Sequence, residues 1–580
     1  MIQSSAVTSG GGGYPAPLVS TRRHSPPRTG PALLAPVHPP RKSAHPPFGR
    51  RRAVAVGGLL AVAVAAGAIV VTTDGGRPDE QVVKRYANAW TRGDTAAMYR
   101  ELSDDARART SLKRFARTMR RAGETATLQR VVAREPVRRG DAWRVPVTVR
   151  TRVFGAVDGS VDLHVEGPDD APGIAWRAND AFPGLRPGER LRRALRMPTR
   201  ATLLARDRTV LAKGDDRSSS LGGLERSVVG ELGAIPADRR HDLLQAGVPD
   251  DARVGVSGLE RIFDAQLRGR AGGHLYAGDR VLAATEPRRA TAVRTTVALD
   301  VQRAAVAALG SRLGGVVALE PKTGQILAFA GIAFSGLQPP GSTFKIVTLT
   351  GALEAGIAKP TTRYPVQTET TIEGVPIENA NGESCGGTLV ASFAQSCNSV
   401  FAPLGVQLGA RRLVDVAERF GFNDEPPVPG AAMSSIPSAG RIGDDLAVGS
   451  SAIGQGQVQA TALQMATVAA TIARHGRRPQ LTLDLAKGGD TAPTRRVTRP
   501  EVARTVERMM LAVVAGGTGR AAAIPGVQVA GKTGTAELRT TRRCEPEPEH
   551  PEACPPEQTN DPPDTDAWFA AYAPVGRPYR

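Results

Sequence analysis

Apolar positions recur at helical spacing soon after residue 77. In DEQVVKRYANAWTRGD (79–94), Val82, Val83, Tyr86 and Trp90 fall on one face, and a second helical stretch covers roughly 112–122. The period then shortens to two. AWRVPVTVRTRVFG (142–155) and SVDLHVEG (160–167) alternate apolar and polar residues and read as strands, with His164 a surface strand residue rather than a ligand. Helices followed by an antiparallel sheet predict a small α+β domain over 77–190. A mixed region follows over 196–292, where VSGLERIFDAQLRGRAGG (256–273) runs a helix into a glycine-rich turn. From Thr295 the pattern changes again. TTVALDVQRAAVAAL predicts a short strand and a helix, GGVVALEPKTGQILAFAG (314–331) a hairpin around a PKTG turn, and STFKIVTLTGALEAG (342–356) a helix with a glycine stop. This third unit extends over 295–580, and the chain shows no internal repeat.

One apolar run stands apart. AVAVGGLLAVAVAAGAIVV (53–71) is uncharged and, as a helix, spans about 28 Å, close to the hydrocarbon thickness of a bilayer. Arg50, Arg51 and Arg52 precede it and Asp74 follows. The positive-inside rule then puts the tail 1–52 in the cytoplasm and everything after about residue 74 outside, a single-pass protein of the cell membrane. A cleaved signal peptide is the competing reading. The tail itself is rich in Pro, Gly and Ser and reads as disordered.

The formal net charge is +19, of which +8 lies in the first 52 residues, which hold no acid. Such a balance suits anionic partners, but no RNA-binding aromatic pattern, zinc-finger spacing or Walker loop accompanies it, and nucleic acid is not expected. The cations are overwhelmingly Arg: 66 against nine Lys. Four cysteines, Cys385, Cys397, Cys544 and Cys554, all follow the apolar run, where disulfides persist. Cys544 and Cys554 flank CEPEPEHPEAC, a loop that a disulfide would staple, and Cys385 could pair with Cys397; three pairings are open. No cysteine has metal spacing with histidine, and neither a metal nor a cofactor is expected.

The scarce lysines mark the chemistry. PPGSTFKIV (339–347) places Ser342 three residues before Lys345, one turn apart on one helix face. Alone this is a weak signal. It gains partners in Ser396-Cys397-Asn398, about 50 residues on, and in VAGKTGTAE, which carries Lys532, Thr533, Gly534 and Thr535 on a strand-like segment. A serine hydroxyl needs a base to take its proton. A lysine serves if it is neutral, and burial beside a second cation lowers its pKa. Lys345 is the candidate base, Lys532 the second cation, Ser396 a proton relay and Asn398 an orienting amide. Backbone N–H groups of Ser342 and Thr535 are candidates for an oxyanion hole, and Lys532, Thr533, Gly534 and Thr535 for a substrate carboxylate site. Arg could not replace Lys345, because it keeps its proton near neutral pH.

The combination of SxxK, SxN and KTG is the signature of penicillin-binding proteins and serine β-lactamases. Nearly everything after residue 77 resembles a class B penicillin-binding protein. The exit segment AWRANDAFPGLRPGERL is similar to that of the NTF2-like domain in the MecA-type branch. RMPTRATLLARDRTVLA and GVSGLERIFDAQLRGRAGG resemble the family's pedestal or dimerisation region, and AIGQGQVQATALQMA its GQG segment. The resemblance implies a multidomain α+β protein: an NTF2-like domain, a pedestal, and a transpeptidase domain with an antiparallel sheet sandwiched by helices. It implies a D-alanyl-D-alanine transpeptidase that cross-links peptidoglycan stem peptides, is acylated by β-lactams and meets other cell-wall synthesis proteins. This chain reads TRAT where the family has an RG pair, IAFSGLQPP is short for the family, and the family's last strand and C-terminal helix would follow residue 580. A serine β-lactamase would need no pedestal, and a bifunctional enzyme would need a glycosyltransferase domain, which 77–292 does not resemble. The alternative from another class is a catalytically weak penicillin-binding scaffold or β-lactam sink.

Overall fold

The computed structural model describes residues 77–219, 221, 223–224, 226–537 and 565–576. The tail 1–52, the apolar run 53–71, Cys544 and Cys554 lie outside the described residues. No helix among the described residues is long and apolar enough to cross a membrane.

The first helix is Pro78–Arg92. Proline opens it, Asp79 and Glu80 occupy its first turn, Arg92 its last, and Gly93 closes it in a left-handed conformation. Val82, Val83, Tyr86 and Trp90 are all buried. They face a curved antiparallel sheet in which Leu128–Ala133, Ala142–Thr151, Ala156–Glu166 and Gly173–Ile174 are successive neighbours. Val145, Val147 and Val149 point into this core, and Arg144, Thr148 and Arg150 between them do not. The second predicted helix runs further than its sequence pattern, Leu112–Ala126, and Ser111 caps it by accepting the Arg114 N–H.

The first two segments pack against each other. Strand Leu191–Arg196, in the connection after the first segment, pairs with Gly272–Ala277, which pairs with Arg280–Thr285, so that connection and the end of the second segment form one sheet. Leu275 on its central strand is buried among the core residues of the first layer. Beyond it, Arg200 of TRAT supplies the centre of a buried ionic cluster. Its guanidinium donates to Glu260 Oε2 at 2.6 Å and Asp264 Oδ1 at 3.0 Å; Arg217 Nε donates to Glu260 Oε1 at 2.7 Å and Arg268 to Asp264 Oδ2 at 2.6 Å. Glu260 is fully buried.

Among the described residues the third unit has no continuous sheet, only two-stranded pairs, of which two hairpins are the longest. Gly315–Glu320 pairs with Gln325–Gly331, as the PKTG turn predicts, and Ala530–Glu537 pairs with Thr565–Tyr572. Among the described residues no strand joins them: Gly315–Glu320 pairs with no strand besides Gln325–Gly331, and Thr565–Tyr572 with none besides Ala530–Glu537. Helix Ala462–Ala473 packs against both of these edge strands and holds the hairpins in register with one core. Between the hairpins and the remaining helices runs Lys345–Glu354. Its residues 345–352 are all buried, and the two threonines among them satisfy their hydroxyls on Ala452 O and Ile346 O. A helix buried on every face fixes the side chains at its start rigidly.

Two outcomes follow. Glu260→Gln leaves two buried guanidinium groups short of charge and should cost about 3–5 kcal/mol. Glu286→Gln, which breaks an exposed pair with Arg196, should cost at most about 1 kcal/mol; equal losses in chemical denaturation would overturn the distinction. Asp180 is buried in the first layer, and desolvation raises its pKa to about 7 although it accepts the Arg177 N–H. A raised folded pKa gives stability that is fully present below about pH 4 and is lost as pH rises from there to about 7. The melting temperature of the parent should therefore decline over that range more than that of Asp180→Asn; parallel curves would refute it.

Candidate active site

Ser342 lies in a single 3₁₀ turn, Gly341–Phe344, that runs directly into helix Lys345–Glu354. Three backbone segments close around this turn, and glycine is required where they meet. Gly341 (φ +51°) donates its N–H to Gly454 O at 2.9 Å, and a Cβ on Gly341 would strike Thr535 O. Gly454 (φ +78°), in the AIGQG segment, touches Gly341 O in the same way. Gly534 of KTG has Pro340 O 2.9 Å from where a Cβ would be. Without a side chain at Gly534, the KTG strand lies close against the Ser342 turn. Phe344 packs edge-on against Phe422, ring centroids 5.2 Å apart, and pins the turn from beneath.

Ser342 is half-buried, and among the described residues its hydroxyl takes no hydrogen bond from Lys345 or from any other side chain. Lys345 is gripped from the other side. Its Nζ donates to Ser396 O and to Asn398 Oδ1, both at 2.7 Å, and lies 3.4 Å from Ser396 Oγ. Ser396 adopts φ +64°, a left-handed conformation that turns the chain just before helix Asn398–Leu408. Lys532, in mid-strand, donates to the same Ser396 Oγ at 2.8 Å and to Thr533 O at 2.9 Å. Phe401 lies under Lys345 and Phe393 under Lys532, each 5.6 Å from the ammonium nitrogen. The structure therefore brings Lys345, Ser396, Asn398 and Lys532 into one contact network, with Ser342 one turn away.

Both lysines are fully buried. Burial, and next the charge of Lys532, push the Lys345 pKa well below its ordinary value, and burial lowers Lys532 to about 7. A neutral lysine has two N–H donors and a lone pair. With Lys345 in that form, Ser396 O and Asn398 Oδ1 use both donors, and the lone pair remains to receive a proton.

Thr533 and Thr535 extend the strand outward, Thr535 being exposed. Sequence reasoning missed Thr518, whose hydroxyl lies 2.5 Å from that of Thr533 and whose N–H donates to Ala394 O. Its only signal was the glycine pair before it: a Cβ on Gly517 would collide with Ala394 O. Glu378 and Asn379 were also missed. Asn398 Nδ2 donates to Glu378 O at 2.8 Å, and Asn379 Oδ1 accepts the Ser399 N–H at 2.9 Å, so a remote loop aligns the SxN turn. A cavity of about 470 Å³ bounded by Asp424, Gln464, Arg478 and Arg495 shares no residue with this network. The buried lysine pair, not the size of a hollow, locates the site.

Of the open cysteine pairings, the structure has Cys385 bonded to Cys397, in the middle of the SxN motif.

Residues 201–288 match the Penicillin-binding Protein dimerisation domain, and residues 314–579 the Penicillin binding protein transpeptidase domain. Peptidoglycan D,D-transpeptidase PbpA of Mycolicibacterium smegmatis is 36% identical over 380 residues, covering 56% of this chain and 72% of that one. PbpA of Mycobacterium tuberculosis is 34% identical over 348 residues, covering 49% of this chain and 65% of that protein, slightly under two thirds of its length. A crystal structure of an Atopobium parvulum protein has the same fold, with a TM-score of 0.51 at 21% identity over 66% of this chain and 90% of that one. With a dimerisation domain ahead of a transpeptidase domain, and with a relative matched over most of its length, the chain belongs to the class B penicillin-binding protein family.

Proposed function

We propose that this protein is a serine D,D-transpeptidase that cross-links peptidoglycan stem peptides and is acylated by β-lactams. The observation that carries this reading is the pair of buried lysines sharing one serine hydroxyl, one turn from an accessible serine.

In this reading Ser342 Oγ attacks the carbonyl carbon of the penultimate residue of a D-alanyl-D-alanine terminus. Neutral Lys345 takes the hydroxyl proton. The N–H groups of Ser342 and Thr535 hold the oxyanion that forms, and among the described residues the Ser342 N–H gives no bond to a backbone carbonyl. The C–N bond then breaks. The proton travels from Lys345 through Ser396 Oγ to the departing D-alanine amine, leaving an acyl ester on Ser342. An amine of a second stem peptide attacks the ester, forms the cross-link and restores the serine. Lys532, Thr533 and Thr535 hold the terminal carboxylate, with Thr518 orienting the Thr533 hydroxyl. A β-lactam enters by the same route, but its leaving nitrogen stays tethered by the opened ring, which keeps the ester in place.

The layer over 77–190 is proposed as an NTF2-like domain of the MecA-type branch. A helix laid across a curved antiparallel sheet, and the AWRANDAFPGLRPGERL exit, support that assignment. A pedestal over 196–292 and a transpeptidase domain from 295 follow it. The run 53–71 is proposed as a single membrane anchor with the catalytic domain outside. Its length, the arginines before it and the Cys385–Cys397 disulfide, a bond that persists outside the reducing cytoplasm, favour this topology.

Ser342→Ala in the full chain should abolish covalent labelling by a fluorescent penicillin while leaving the melting temperature near the parent's. An adduct that mass spectrometry maps to another serine would overturn the assignment. For the base, the acylation rate of the parent should rise with pH as Lys345 sheds its proton, and burial beside Lys532 should place that rise well below the ordinary lysine range. Lys345→Arg should lose roughly 10²–10⁴-fold in acylation rate and lose this pH dependence, since a guanidinium keeps its proton. An Arg variant that acylates at the parent's rate would exclude Lys345 as the base.

A further inference from the structure

Cys397 sits between Ser396 and Asn398, the two residues that grip Lys345. Its disulfide partner, Cys385, begins strand Cys385–Thr388, which pairs with Arg363–Gln367. The lobe containing that strand reaches the SxN turn by two further routes, Asn398 to Glu378 O and Ser399 N–H to Asn379 Oδ1. Asn379 is itself tied to the lobe through Gln367 O and Glu383 O. The segment enclosed by the disulfide contains helix Leu389–Ala394, which supplies Phe393 beneath Lys532 and Ala394 O for Thr518. Groups that contact both lysines therefore belong to one covalently closed ring or hang from its edge.

Resting on the transpeptidase reading, we propose that the Cys385–Cys397 disulfide is a positioning element of the acylation site: it holds the SxN turn so that Ser396 O and Asn398 Oδ1 retain Lys345. Two observations give the bond this work rather than general stabilisation alone. The cysteines are only 12 residues apart, and loop-closure stabilisation grows with loop length, so the bond is a modest entropic staple. The turn it holds is one the chain does not favour on its own, because Ser396 is left-handed and carries a Cβ. Relaxation of Ser396 to a negative φ would rotate its carbonyl away from Lys345. Both sulfur atoms belong to buried residues, Cys397 wholly so, and the bond acts from within the core.

The test uses the full chain with Cys385→Ala, Cys397→Ala and the double variant. Second-order acylation by a fluorescent penicillin is measured from acid to alkaline pH at a temperature well below each melting point. Cys385→Ala is the informative variant, since residue 385 contacts neither lysine; Cys385→Val, which keeps more of the buried volume, replaces it if Cys385→Ala does not fold. The expected result is a loss of about tenfold or more in acylation rate. The double variant should be no worse than the singles, because one bond is lost in each. The midpoint of the pH profile should also move upward as Lys345 regains contact with water. Lys532 is the one titratable group that lowers Lys345 by its charge; Ser396, Asn398 and Phe401, which also contact it, do not titrate in this range. Variants that melt earlier but keep the parent's rate and midpoint would overturn the proposal and leave the disulfide a stabilising link only. A parent that takes no label at all would instead overturn the transpeptidase reading.

Discussion

Two ammonium nitrogens meet one serine hydroxyl inside this protein, with no carboxylate of the described residues among their hydrogen-bond partners. Both lie within 3.4 Å of Ser396 Oγ, so they are no more than about 6 Å apart. At that separation two unit charges in a protein environment repel by about 3 kcal/mol, before the cost of removing each from water. The arrangement is tenable only if one lysine gives up its proton, and that is also what a base for Ser342 requires. The electrostatic penalty and the chemistry are one constraint.

The surrounding fold keeps that constraint from relaxing. Lys345 cannot turn towards solvent, because it begins a helix buried along its length. Lys532 cannot withdraw, because its strand is registered residue by residue against Thr565–Tyr572 and lies close against the Ser342 turn through Gly534 and Gly341. The aromatic faces of Phe393 and Phe401 occupy positions that water would otherwise fill. The same rings favour a cation electrostatically, which limits how far the pKa values fall.

The sequence displayed the reacting groups more clearly than their supports. Ser342, Lys345, Ser396, Asn398 and Lys532 were legible because the acyl transfer proposed for this chain needs those types, and because lysine is rare in an Arg-rich chain. The first helix was legible because Val82, Val83, Tyr86 and Trp90 share one face. Thr518, Glu378 and Asn379 were not, since their roles arise from contacts 15–20 residues away that leave no local pattern. Strand Leu191–Arg196 was hidden for a related reason: its partner, Gly272–Ala277, lies some 80 residues on, and only the pairing shows that the connection out of the first segment joins a sheet of the second. The two unjoined hairpins of the third unit likewise depend on which edges find partners, a property of the assembled sheet rather than of either strand's alternation.

Cations are buried in this molecule in two ways, and the difference matches the side chains used. In the second segment, Arg200 and Arg217 converge on Glu260, with Asp264 bonded to both Arg200 and Arg268, so each guanidinium meets a carboxylate. Such a cluster holds geometry but has no proton to trade, because guanidinium stays ionised across the physiological range. At the site, the buried cations are lysines and their partners are neutral oxygens. There burial is unbalanced, and the imbalance favours a proton leaving. A chain that chooses Arg over Lys 66 to nine thus spends two of its lysines where a permanent charge would defeat the chemistry, and builds its ionic strut from the residue that cannot lose one.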